Sequence, residues 1–132
     1  MKNFLIFLIL LFAQKVFAQS EWMSITTSVS GREYQIRNLE KKDNQFYDVW
    51  VKKIDPPIKI KGKNGKYTYK SKYSINNWIV SCDTKEYQNI TFVEYNSNGK
   101  ILSEGGSTED TYKFIPDSVA YGVYEYICSE NN

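Results

Sequence analysis

The sequence predicts an α+β fold: an antiparallel β-sheet of about six strands with one C-terminal helix packed on it and tethered by a disulfide. Three observations carry that expectation. Tyr, Phe, Val, Ile and Thr recur in short runs through the chain, and these residue types suit a pleated, half-buried surface. Turn signals built on Gly, Asn and Pro separate the runs. The last segment, from Pro116 onward, instead has a helical period and a helical start.

The N-terminal stretch MKNFLIFLILLFAQKVFAQS carries Lys2, an apolar run from Phe4 to Ala13, and Val16 and Ala18 at the small-residue positions read by signal peptidase. Residues 1–18 are therefore expected to be a cleaved signal peptide, and residues 19–132 a single domain with one core. The apolar run is too short to cross about 30 Å of hydrocarbon as a helix, and no second such run follows, so the mature chain is expected to lack a transmembrane segment. No cysteine follows the cut, so a lipoprotein is not expected. The chain is read as exported: periplasmic, on the cell surface or secreted.

In order along the chain, WMSITTSV (Trp22 to Val29) alternates as a strand with one buried face. After the Ser30-Gly31 break, Arg32 to Asn38 forms the next, with Tyr34 and Ile36 on one side. In FYDVWVKK, Phe46, Asp48 and Trp50 share one face while Tyr47, Val49 and Val51 share the other; apolar groups on both faces suit a central strand. Asp55-Pro56-Pro57 interrupts, because proline offers no amide to a ladder. IKIKGKNGKYTYKSKY comes next, and its IKIKGKNGKYTYK part is a candidate hairpin. In SINNWIVSC the two-residue period puts Trp78, Val80 and Cys82 on one face. YQNITFVEY is a further strand, and the turn Asn96-Ser97-Asn98-Gly99 leads into its hairpin partner KILSE. Asn89-Ile90-Thr91 matches a glycosylation acceptor pattern, but it lies inside a strand and reads as a chance match.

IPDSVAYGVYEYIC is ambiguous locally. As a strand it would put Glu125 among Val119, Val123 and Ile127. As a helix it gathers Val119, Ala120, Val123, Tyr126 and Ile127 on one arc, with Ser118, Tyr121 and Glu125 toward the other. Pro116 and Asp117 suit a helix start. The helix is weak, since Gly122 costs about 1 kcal/mol relative to Ala and so short a helix is marginal alone in water. Cys82 and Cys128 are the two cysteines of the chain. In an oxidising compartment they are expected to pair, for about 4 kcal/mol at most from loop closure; free thiols are the alternative. Because Cys128 falls off the centre of the apolar arc, the helix is expected to unwind there to reach Cys82.

Trp22, VWVKK, SKYSINNWIVSCDTKEY, EYNSNGKILSE and IPDSVAYGVYEYIC, in that order, resemble the successive blocks of the surface-adhesin protein E-like domain family, from Trp22 to Cys128. The resemblance implies an antiparallel sheet of about six strands with a C-terminal helix held by one disulfide. It places Cys82 and Cys128 at the bridge, and Pro116 and Ser118 at the helix entry. It also implies a surface binding protein, since the family's adhesin binds host matrix proteins. The chain departs from the family in lacking a lipidation cysteine and in its Lys52 to Lys72 region.

Charge is the local functional signal. Lys52 to Lys72 holds eight lysines and one acid, whereas from Asp83 onward there are nine acids and three lysines. In a hairpin, Lys59, Lys61 and Lys63 line one face, near Lys66, with Tyr67 and Tyr69 across or beside them. Ammonium groups neutralise sulfate or carboxylate while tyrosine rings stack on sugars, so this ribbon is the candidate contact for a protein or an anionic glycan. The competing reading is a solvated hairpin whose lysines discourage edge pairing.

Nucleic acid is not expected as a partner of an exported, nearly neutral chain. With no histidine, the usual general base is missing, and no catalytic residues, metal ligands or cofactor are expected. Glu109 and Asp110 read as solvated turn residues beside Gly105-Gly106. The expected function is thus a non-enzymatic binding module, or alternatively a periplasmic structural or accessory protein that meets another envelope protein.

Overall fold

The computed structural model describes residues 21–43 and 45–130; the expected signal peptide lies outside the described residues. The elements are β1 (Met23–Thr27), β2 (Glu33–Lys41), β3 (Phe46–Ile54), β4 (Ile58–Lys61), β5 (Tyr67–Lys70), β6 (Tyr73–Ser81), β7 (Glu86–Tyr95), β8 (Ile101–Gly105), β9 (Thr111–Lys113) and α1 (Val119–Glu130). Six strands pair in the order β1-β2-β3-β6-β7-β8, and β9 adds a seventh by pairing with β7. All pairings are antiparallel. Strands β4 and β5 form a separate two-stranded ribbon.

The alternation predicted for β3 is what builds the core. Tyr47, Val49 and Val51 are buried, in phase with Tyr34 and Ile36 of β2 and with Trp78 and Val80 of β6. On this face lie Val123 and Ile127, one helical turn apart on α1, together with Phe114. Trp78 is fully buried, its ring stacked 4.1 Å from Tyr87 and set edge-on 6.0 Å from Phe114. Burying each large apolar side chain is worth about 1.5–3 kcal/mol, so this one-sided cluster is the main reason a short helix with a central glycine stays folded. Gly122 has a packing role as well: a Cβ there would lie 3.2 Å from Thr26 Cγ2, so its absence lets α1 approach β1.

Cys82 and Cys128 form a disulfide, with Cα atoms 5.6 Å apart. The helix does not unwind to make it. It runs through Cys128 to Glu130, and Cys128 is buried beside Ile127, so the buried arc extends further round the helix than its apolar residues alone indicate. Tyr124, on the same flank, donates from Oη to the Cys82 carbonyl at 3.4 Å.

The helix entry also differs in detail. Asp117 precedes the helix at φ 65°, in a turn closed by Ser118 N–H donating to Ile115 O at 3.1 Å. Pro116 takes the second position of that turn and Asp117 the third. Ser118 is the N-cap, its Oγ accepting from Tyr121 N at 3.2 Å. The first strand is shorter than WMSITTSV, because Ser28 to Gly31 is already turning.

Candidate functional site

Three loops of one build define one end of the sheet. In Ser28–Gly31, Gly62–Gly65 and Asn96–Gly99 the glycine N–H donates to the first residue's carbonyl at 2.9, 3.0 and 3.0 Å. The first residue in turn donates its N–H to the carbonyl of Arg32, Lys66 or Lys100. Gly31, Gly65 and Gly99 sit at φ 87, 75 and 80°, the left-handed position that follows a type I turn in such hairpins. Register shows how they cluster. Glu33 pairs with Ile54, Ile54 with Tyr73, and Tyr73 with Tyr95. The loops before β2 and after β7, and the excursion carrying β4 and β5, therefore leave the sheet at the same end. The disulfide lies toward the opposite end, just past Ser81, which pairs with Phe46.

The β4–β5 ribbon is the most basic part of this end. Its register sets Lys59 opposite Tyr69 and Lys61 opposite Tyr67, so all four side chains share one face. Lys59 Nζ lies 4.1 Å from the centroid of the Tyr67 ring, a diagonal cation–π contact. Lys63 is in the turn rather than on that strand face, and Lys66 closes the turn, its N–H donating to Asn64 Oδ1 at 3.0 Å. Of the six residues singled out in the sequence, four thus form a striped face and two crown its tip. Every residue from Lys61 to Lys70 is exposed, and Tyr67 and Tyr69 are 54% and 67% exposed.

The base of the ribbon is pinned. Asp55 N–H donates to Lys72 O at 2.9 Å, Arg32 Nε meets Asp55 Oδ1 at 2.8 Å, and Lys70 Nζ donates to Asn98 Oδ1 at 2.9 Å. The ribbon is therefore held to both neighbouring loops while its faces remain free for contact.

Beside this base the sheet has a cavity of about 480 Å³ that the sequence reading missed. Lys53, Asn76 and Asn89 line it together with Phe92 and Glu94. Burial lowers the Lys53 pKa, with the nearby Arg32 charge adding to the effect and Glu94 opposing it. In the sequence Lys53 is one of eight lysines in a basic stretch; its signal is its phase, two residues beyond Val51 on the buried face. Among the described residues no group of three or more His, Cys, Asp or Glu side chains is placed to hold a metal ion, and no helix is long and apolar enough to cross a membrane.

No protein-family profile and no curated protein matches the sequence. Among solved structures, that of Haemophilus influenzae protein E is similar, with a TM-score of 0.51 and 16% identity over 86% of this chain and 87% of that one. The chain therefore has a protein E-like fold.

Proposed function

We propose that this chain is an exported, non-enzymatic binding module that grips an anionic partner, a host matrix protein or an anionic glycan, through the Lys/Tyr face and tip of β4–β5. One observation carries the reading: exposed Tyr67 and Tyr69 stand directly across from Lys61 and Lys59 on a ribbon that lies outside the main sheet. Rigid amphipathic rings beside ammonium groups make interface anchors. A solubilising hairpin needs the lysines but gains nothing from unburied tyrosines. The sequence resemblance to a family of surface adhesins agrees with this reading, and the fold likeness supplies its scaffold. Residues 1–18 would direct the chain out of the cytoplasm, where Cys82 and Cys128 oxidise.

The experiment is binding to immobilised heparin, as a sulfated glycan probe, and to an acidic matrix protein across a salt series. Saturable binding that weakens with salt is expected. Reversing Lys59, Lys61 and Lys63 to Glu is expected to weaken it about tenfold or more. Unchanged binding by that variant would remove the ribbon from the account. Protease applied to whole cells locates the protein: digestion indicates the outer surface, protection a periplasmic role with another envelope protein as partner.

A further inference from the structure

The cavity beside the ribbon's base is built differently from the ribbon itself. Strand alternation puts Lys53, Ser74 and Glu94 in one row across β3, β6 and β7, with Lys53 opposite Ser74 and Ser74 opposite Glu94. Asn76 forms the next row with Phe92 as its partner. Asn76 is buried, 3% exposed, yet it lines the cavity.

The amide orientations there are fixed by their partners. Asn76 Nδ2 donates to Val51 O at 3.3 Å and to Ser74 Oγ at 3.0 Å, so its Oδ1 is an acceptor, and Asn89 Nδ2 donates to it at 3.4 Å. Asn89 is thereby oriented with Oδ1 as a buried acceptor, and that atom has no hydrogen-bond partner among the described residues. A buried acceptor without a donor carries the cost of its lost hydration uncompensated, so the site calls for an O–H or N–H. Lys53 sets the second requirement. Its Nζ lies 5.3 Å from the Trp78 ring centroid and 6.0 Å from that of Tyr34, and among the described residues it makes no salt bridge. Arg32 and Glu94, which line the same cavity, act on Lys53 in opposite senses, and a partly desolvated ammonium without a salt bridge attracts a carboxylate.

We propose that this cavity binds a sugar acid, its carboxylate on Lys53, a hydroxyl donating to Asn89 Oδ1, and its ring against Phe92. Sugar hydroxyls both donate and accept, which matches a wall made of Ser74, Asn76 and Asn89 and rimmed by Glu94, whose Oε2 accepts from Ser103 Oγ at 2.6 Å. A zwitterionic peptide, whose ammonium could meet Glu94 or Asp55 of the same lining, is the competing ligand for the test. About 480 Å³ is ample for one such residue, either free or at the end of an anionic glycan. The site is separate from the Lys/Tyr face and does not depend on it.

The test is a titration of the full mature chain, followed by the side-chain amide resonances of Asn76 and Asn89. The probes are glucuronate, glucose, alanylalanine and a disaccharide ending in glucuronate. Saturable shifts with glucuronate but not glucose are expected, and Lys53→Met should weaken the binding about tenfold or more. The Lys59, Lys61 and Lys63 reversal should leave it unchanged. Tighter binding of the disaccharide than of glucuronate assigns the site to a glycan end; equal binding assigns it to the free acid. Glucose shifting the same resonances equally, alanylalanine alone doing so, or an unaltered response in Lys53→Met would each overturn the proposal, as would no response to glucuronate.

Discussion

Lys53 shows how one side chain can be placed against its own stability. It stands in phase with Tyr47, Val49 and Val51, where an apolar residue would add to the core, and burial lowers its pKa. Between that lowered value and the ordinary lysine range the unfolded chain holds more protons than the folded one, so stability rises with pH across the interval. Below that interval the full cost of burying the ammonium is present. Lys53→Met is therefore expected to raise the melting temperature at pH 7, and the difference from the wild type should shrink as the pH climbs into the lysine range. Thermal melts of both proteins over a pH series check this; a less stable variant at pH 7 means that the Trp78 and Tyr34 rings compensate the buried charge. The difference between the two proteins is the quantity to read, because burial also raises the Tyr87 pKa and both proteins carry that phenol. At this scale Asn76 carries the same signature as Lys53, a polar side chain in step with Trp78 and Val80. Phase within a strand was thus a readable clue to the cavity, whereas lysine count was not.

At the scale of elements, α1 depends on what holds it from outside. Its sequence has no basic residue in the last turn to favour its dipole, and Gly122 weakens its middle, so its stability comes from Val123, Ile127 and the bridge to Cys82. The bridge spans a sequence separation of 46, for which loop closure gives about 4 kcal/mol as an upper figure. Cys82→Ala with Cys128→Ala is expected to lose about 2–4 kcal/mol in denaturant melts. Amide exchange should accelerate first in α1, with β3 and β6 remaining protected. Uniform acceleration across sheet and helix would show instead that the two unfold as one unit. Gly122→Val should cost about 2 kcal/mol, since the new side chain meets Thr26 on β1; a neutral result would mean the helix can lift. The elements legible in the sequence were those with their own punctuation. Ser30-Gly31 marked a break between strands, Asn96-Ser97-Asn98-Gly99 a hairpin turn, and Asp55-Pro56-Pro57 the end of β3. Strand β9 gave no such signal: TYK is three exposed residues that become a strand only because β8 pairs with one half of β7 and leaves Glu86 to Gln88 free to pair with it. The path of α1 through Cys128 was equally hidden, because burial there is set by Cys82 and not by hydrophobic period.

Across the whole molecule the sheet divides labour between its two ends. One end carries the covalent tie to the helix, and the other carries the three glycine loops, the ribbon and the cavity. The ribbon is an insertion into a continuous hairpin, since Ile54 and Tyr73 are register partners and Asp55 N–H meets Lys72 O directly above them. Residues between those two points leave the sheet and return to it without crossing the core. Replacing Ile58 to Lys70 with a short Gly-Ser linker should therefore leave the fold intact, because β3 and β6 then form an ordinary hairpin and only Arg32, Asp55 and Lys72 remain at the base. Such a variant should melt within about 1 kcal/mol of the parent, as surface changes away from the core do, and should retain the shifts of Asn76 and Asn89 with glucuronate. Binding to heparin should be lost, because the excised segment carries the Lys/Tyr face and its tip. Unfolding of the variant would show that the ribbon braces the sheet, through Lys70 and Asn98 above all. Retained heparin binding would move the polyanion contact to the cations that stay behind, Arg32, Lys52 and Lys72.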